Sequence, residues 1–149
     1  MPFMAGKQAF LEILKQEGVE YLFGNPGTTE LPLMDGLVRE PRIRYVLALQ
    51  EAVAIAMADG YAQASGKLAA VNVHISPGLG NAMGMLYDAW KAGSPLLLTA
   101  GQHDQSFNVT EPVLWPTCPR WRGPSSSGRP KSTASKICRA SSIALSRWR

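Results

Sequence analysis

IRYVLALQEAVAIAMADGYAQASGKLAAVNVHI, residues 43–75, is the stretch from which the fold can be read. It opens on the apolar run IRYVLAL, which reads as a strand buried on both faces. QEAVAIAMADGYAQASG follows as an alanine-rich helix, and LAAVNVHI as a second apolar strand. A helix set between two such strands is a βαβ unit, with a right-handed crossover and parallel strands.

The alternation continues outward on both sides. Residues 7–17 (KQAFLEILKQE) place Phe10, Leu11 and Leu14 on one helical face, and Gly18 ends the run. EYLFG reads as a short strand, and TTELPLMDGLVRE as a short helix capped by Thr28 or Thr29. On the other side GNAMGMLYDAWKAG is a long helix and SPLLLTAG a further strand. The expected fold class is therefore α/β, a parallel sheet with helices on both faces. Ligands of such sheets bind outside the carboxyl ends of the strands. Four of these ends are legible, at Gly24–Gly27, Leu49–Glu51, His74–Gly80 and Ala100–His103.

A chain of 149 residues, 46% of them hydrophobic, can bury a core as one domain. No apolar run reaches the length of a membrane span, and the first residues lack a cleavable apolar leader, so a cytoplasmic location is expected. The net charge of +4 averages two unlike pieces. Residues 1–115 carry seven basic and eleven acidic residues, a net of −4. Residues 116–149 carry eight Lys or Arg, no acid, and both cysteines, Cys118 and Cys138. The first piece gives no reason to expect nucleic acid, a membrane, a disulfide or a metal.

PGLGNAMG spaces its glycines as Gly78-x-Gly80-x-x-x-Gly84 and follows the third strand, which argues against a dinucleotide fingerprint. Glu51 opens a helix directly after a strand. One reading is a carboxylate favoured by the helix dipole, by roughly 0.3–1 kcal/mol. The other is a carboxylate at the dry mouth of the crevice, able to share a proton. His74 ends a strand, either as a satisfied structural histidine or as an imidazole placed for proton transfer. Asn81 reads as a helix cap or as a lining residue.

GNPGTTELP, LALQEAVAIAMADGYAQASGK, NVHISPGLGNAMG and SPLLLTAGQ, in that order, resemble the N-terminal pyrimidine-binding domain of thiamine-diphosphate-dependent enzymes. The likeness covers about residues 5–115 and looks closest to benzoylformate decarboxylase and acetolactate-synthase-like proteins. It implies that residues 1–115 form the pyrimidine-binding domain. Glu51 would be the glutamate that hydrogen-bonds the aminopyrimidine ring and helps the thiazolium lose its proton, the cofactor carrying the hard step. Asn25, Pro26, Gly27 and Asn81 would bind the cofactor with Glu51. Thr28 and His74 would contact a 2-oxo acid substrate, and Glu51 and His74 would be catalytic. A histidine at position 74 favours decarboxylation, since acetolactate-forming relatives generally lack one there. The resemblance further implies a homo-oligomer, dimer or tetramer, and Mg²⁺ that anchors the diphosphate on a C-terminal domain with a G-D-G…N-N motif. No such motif occurs in these 149 residues, so the chain is expected to carry half of a site and to be inactive alone.

The expected function is that of an N-terminal piece of a thiamine-diphosphate-dependent 2-oxo acid decarboxylase. The alternatives are an acetolactate-synthase-like carboligase and a non-enzymatic, basic-tailed binding protein. Residues 116–149 read as a disordered tail and, more specifically, as the product of a shifted reading frame in a GC-rich gene. One permitted coding of PTCPRWRGPSSSGRPK, regrouped after two bases, reads DLPTVARPFVKWSAE, which resembles the segment that follows in this family. One base lost after the Trp115 codon would produce it. Sequencing the DNA around codon 115 checks this, with a second frame that continues the family-like sequence as the expected outcome.

Overall fold

The computed structural model describes residues 4–103, and the expected tail at 116–149 lies outside them. Four strands and four helices alternate: α1 (Gly6–Gln16), β1 (Tyr21–Gly24), a 3-10 turn (Thr28–Glu30), α2 (Leu31–Leu37), β2 (Arg44–Leu47), α3 (Glu51–Ser65), β3 (Ala69–Val73), α4 (Pro77–Ala92) and β4 (Leu96–Ala100). All three strand pairings are parallel, in the order β2-β1-β3-β4. The α/β sheet read from the sequence is therefore the fold observed.

The register aligns Val46, Phe23, Val71 and Leu98 in one row across the sheet, and Tyr45, Leu22, Ala70 and Leu97 in the next. Side chains alternate faces along a strand, so each row serves a different core. The first packs with Ala54, Ile55, Ala58 and Ala62 of α3 and with Ala82 and Ala89 of α4. The second packs with Phe10, Leu11 and Leu14 of α1 and with Leu33 and Leu37 of α2. Helices thus cover both faces, and the alanines let α3 lie close to the sheet. Glycines in the left-handed conformation, Gly66 (φ 69°) and Gly93 (φ 71°), end α3 and α4.

Three local expectations are corrected. IRYVLAL is not buried on both faces: β2 is an edge strand, Arg44 and Leu47 are exposed, and only the flanking Ile43 and Ala48 are buried. α4 begins at Pro77 rather than near Gly80, because a proline in the first turn forfeits no helical hydrogen bond. PGLG is therefore helix, and Asn81 sits inside α4 instead of capping it. Neither Thr28 nor Thr29 caps: the 3-10 turn starts from Gly27 and α2 from Glu30, without side-chain cap bonds.

The chain runs from β1 to β2 on one side and then crosses to β3 on the other side of β1. The sheet's switch point therefore lies between the carboxyl ends of β1 and β3, where open α/β sheets form their crevice. Because Ala58 is fully buried between α3 and its neighbours, Ala58→Leu should overpack the core and cost about 1–3 kcal/mol, read by chemical denaturation of the full chain.

Candidate functional site

Glu51 is the first residue of α3, yet its carboxylate does not serve the helix end. The Gln50 side chain caps instead, its Oε1 accepting from the backbone N–H groups of Ala52 (2.7 Å) and Val53 (3.2 Å). Glu51 is 5% exposed, with its carboxylate turned into the switch point. The Asn25 amide donates to Oε1 (3.2 Å) and the Asn81 amide to Oε2 (3.1 Å). Asn25 follows β1, Glu51 follows β2 and Asn81 lies in α4 beyond β3, so three connections converge on one carboxyl group.

His74, just after β3, stands beside it. A Cβ at Gly78 would lie 2.9 Å from the His74 Cβ and 3.0 Å from Glu51 Oε1, so glycine is what leaves room for both side chains against α4. A Cβ at Gly27 would overlap the His74 ring itself. The glycine turns thus accommodate the chain's own polar side chains. Ser76, between His74 and Gly78, holds φ at 38°, an unfavourable value for a non-glycine residue and of the sort that clusters at functional sites.

Glu30 is the residue that the sequence reading missed. Its side chain is fully buried. Oε2 accepts the Gly27 backbone N–H at 2.7 Å and lies 2.9 Å from His74 Nδ1, while Oε1 accepts the Thr29 hydroxyl. Thr29 Oγ1 is itself 3.1 Å from His74 Nδ1. Beyond β4, Gly101 lies so close to Glu30 and Thr29 that a Cβ there would overlap both, which brings the fourth strand end to the same place. The available signal was a carboxylate three residues after Gly27 in a loop that otherwise carries no charge. Thr28, expected to contact substrate, is exposed at the start of the turn, and it is Thr29 that reaches His74. Pro26 is partly buried in the same loop.

Behind Glu30, a cavity of about 270 Å³ opens between α1 and β4, with Phe10, Leu33, Asn72 and Thr99 on its walls. Thr29 and Glu30 also line it, and Glu51 does not. Tyr45 is packed on this side. Its hydroxyl is buried, finds no partner among the described residues, and would be overlapped by a Cβ at Gly24. Burial, with a smaller contribution from the negative charge of Glu30, pushes the phenol up to about 12.

The family described as "Thiamine pyrophosphate enzyme, N-terminal TPP binding domain" matches residues 4–113. The chain belongs to that family. It is 45% identical over 106 residues to benzoylformate decarboxylase of Pseudomonas aeruginosa, covering 71% of this chain and 20% of that protein. It is 42% identical over 98 residues to the acetolactate synthase large subunit of Lactococcus lactis, covering 66% and 17% respectively. The crystal structure of benzoylformate decarboxylase from Polynucleobacter necessarius superposes with a TM-score of 0.68 at 39% identity, over 74% of this chain and 21% of that one. The chain thus spans about a fifth of the length of these relatives.

The residues present fit a thiamine pyrimidine. Each Glu51 oxygen has a neutral amide donor, and no cation pairs with Glu51 among the described residues. A buried carboxylate so placed keeps lone pairs for a further neutral partner such as a ring nitrogen.

Two outcomes are expected. In an alkaline titration followed by phenolate absorbance, one of the four tyrosines should ionise only near pH 12, and Tyr45→Phe should remove that step. Because the folded state holds this proton beyond the ordinary value of 10.0, the contribution is complete below pH 10 and lost as pH rises from there to about 12. Tyr45→Phe should leave stability unchanged or raise it in neutral denaturation experiments, since it removes a buried hydroxyl that lacks a partner.

Proposed function

We propose that this chain supplies the pyrimidine-binding half of a thiamine-diphosphate-dependent lyase that decarboxylates 2-oxo acids, as benzoylformate decarboxylases do. The observation that carries this reading is the Glu51 carboxylate, buried, held by two neutral amides and packed, like His74, against Gly78.

Thiamine diphosphate, when bound, supplies the electron sink for loss of carbon dioxide. The residues of the chain have distinct tasks. Glu51 faces the pyrimidine and holds or releases a proton at one carboxyl oxygen. Asn25 and Asn81 fix the plane of that carboxyl group and so reach the cofactor through Glu51. Pro26 and Gly27 would form the turn beside the pyrimidine, with the bare Cα of Gly27 turned to the His74 ring. His74 offers its imidazole for proton transfer at the reacting carbon, and Thr28 stands exposed at the crevice edge, where a substrate carboxylate can reach its hydroxyl. The other half of the site, with Mg²⁺ and the diphosphate, is assigned to a second domain and a partner subunit.

The similarity to acetolactate synthase keeps carboligation as the second reading; His74 favours the first. A chimera separates them, with residues 4–113 replacing the matching segment of the Pseudomonas aeruginosa enzyme. Decarboxylation of benzoylformate should exceed acetolactate formation from pyruvate, and the reverse preference would overturn the assignment. In this chimera Glu51→Gln should lower turnover by about 10²–10⁴-fold, the range for loss of a positioned proton-transfer group.

A further inference from the structure

We propose that Glu30 is a positioning residue that fixes the tautomer of His74, holding the neutral ring with its proton on Nδ1 and leaving Nε2 as the proton-accepting atom at the crevice. Three groups approach the Glu30 carboxylate: the Gly27 N–H and His74 Nδ1 at Oε2, and the Thr29 hydroxyl at Oε1. The first and third are donors. An ionised carboxylate can only accept, so Nδ1 must be the donor in the remaining contact. Thr29 supports the same polarity. Its hydroxyl proton goes to Glu30, which leaves an oxygen lone pair 3.1 Å from Nδ1 and available to accept from it.

The setting enforces the arrangement. The Glu30 side chain is fully buried, whereas the His74 side chain keeps 19% of its surface exposed. The ring is bounded by the bare Cα of Gly27, and its Cβ by the bare Cα of Gly78, so it has little freedom to turn Nδ1 away. Nε2 takes part in no hydrogen bond among the described residues. The logic is that of a carboxylate that orients an imidazole so that the far nitrogen moves the proton. The competing arrangement puts the proton on the Glu30 carboxyl group and leaves Nδ1 bare, which would make Nε2 a donor. That Nε2 moves a proton in catalysis rests on the function proposed above; the tautomer does not.

Long-range proton–nitrogen correlation spectra of the isotope-labelled full chain read the tautomer without cofactor or turnover. The sequence has only two histidines, His74 and His103, and His103→Gln assigns the signals. In the alkaline limit, where both rings are neutral, His74 should show a protonated Nδ1 and a bare Nε2. Glu30→Ala should release this preference and populate the Nε2–H form, because no carboxylate then takes the Nδ1 proton. An Nε2–H tautomer in the unsubstituted chain would overturn the proposal, as would an Nδ1–H preference that survives undiminished in Glu30→Ala. Should that variant fail to fold, the unsubstituted spectrum decides alone. An Nδ1–H ring in a chain whose chimera lacks thiamine-dependent turnover would uphold the tautomer and reject the function, so the two are tested separately.

Discussion

A carboxylate taken out of water must be given donors, and this requirement organises the carboxyl edge of the sheet. Glu51 and Glu30 are both buried there. Leaving either without partners would cost several kcal/mol, about 3–5 when one member of a buried charged pair is removed. The donors come from loops that the sequence separates widely: Asn25 and Asn81 for Glu51, Gly27, Thr29 and His74 for Glu30. Each loop is drawn to the switch point because a buried charge there needs its polar groups. The crevice is therefore held open by its own hydrogen bonds.

Gly27, Gly78 and Gly101 all follow the carboxyl ends of strands. The space they leave is taken by the His74 ring, by the Glu51 carboxylate, and by Glu30 with Thr29. A methyl group at any of the three would crowd a polar side chain. Gly27 and Gly101 thereby let His74, Glu30 and Thr29 stand close enough to share hydrogen bonds. A proton-transfer group displaced by as little as 1 Å loses much of its effect, and this gives such glycines a functional consequence without ligand contact.

Much of this was legible before any coordinates. Apolar strands alternating with helical runs gave the parallel sheet, and the rule for carboxyl ends located the crevice. Glu51 and His74 stood out as polar residues where apolar strands stop. What stayed hidden depended on three-dimensional neighbours. β2 carries the same apolar composition as a central strand, and only the sheet order reveals it as an edge. The first turn of α4 looks like a loop, since proline and two glycines usually break helices, yet proline costs little in a first turn. Glu30 was passed over because a glutamate at a helix start is ordinarily a solvated residue, and its burial comes from β3 and β4, many residues away.

The same chain shows how it treats a carboxylate that has no chemistry to perform. Glu40 is paired with Lys15 at 2.6 Å and Glu20 with Lys67 at 2.5 Å, and the lysine in each case holds the acid below the usual carboxylate range. Such acids stay ionised, which suits a surface tie. Among the described residues Glu51 pairs with no lysine or arginine and receives two neutral amides instead. Amides orient a carboxyl group without countering its charge. Glu30 has an imidazole as its nitrogen partner instead of a lysine or arginine. The lysine-paired acids thus tie elements together, while the acids at the switch point are held by amides, a hydroxyl, a backbone N–H and an imidazole.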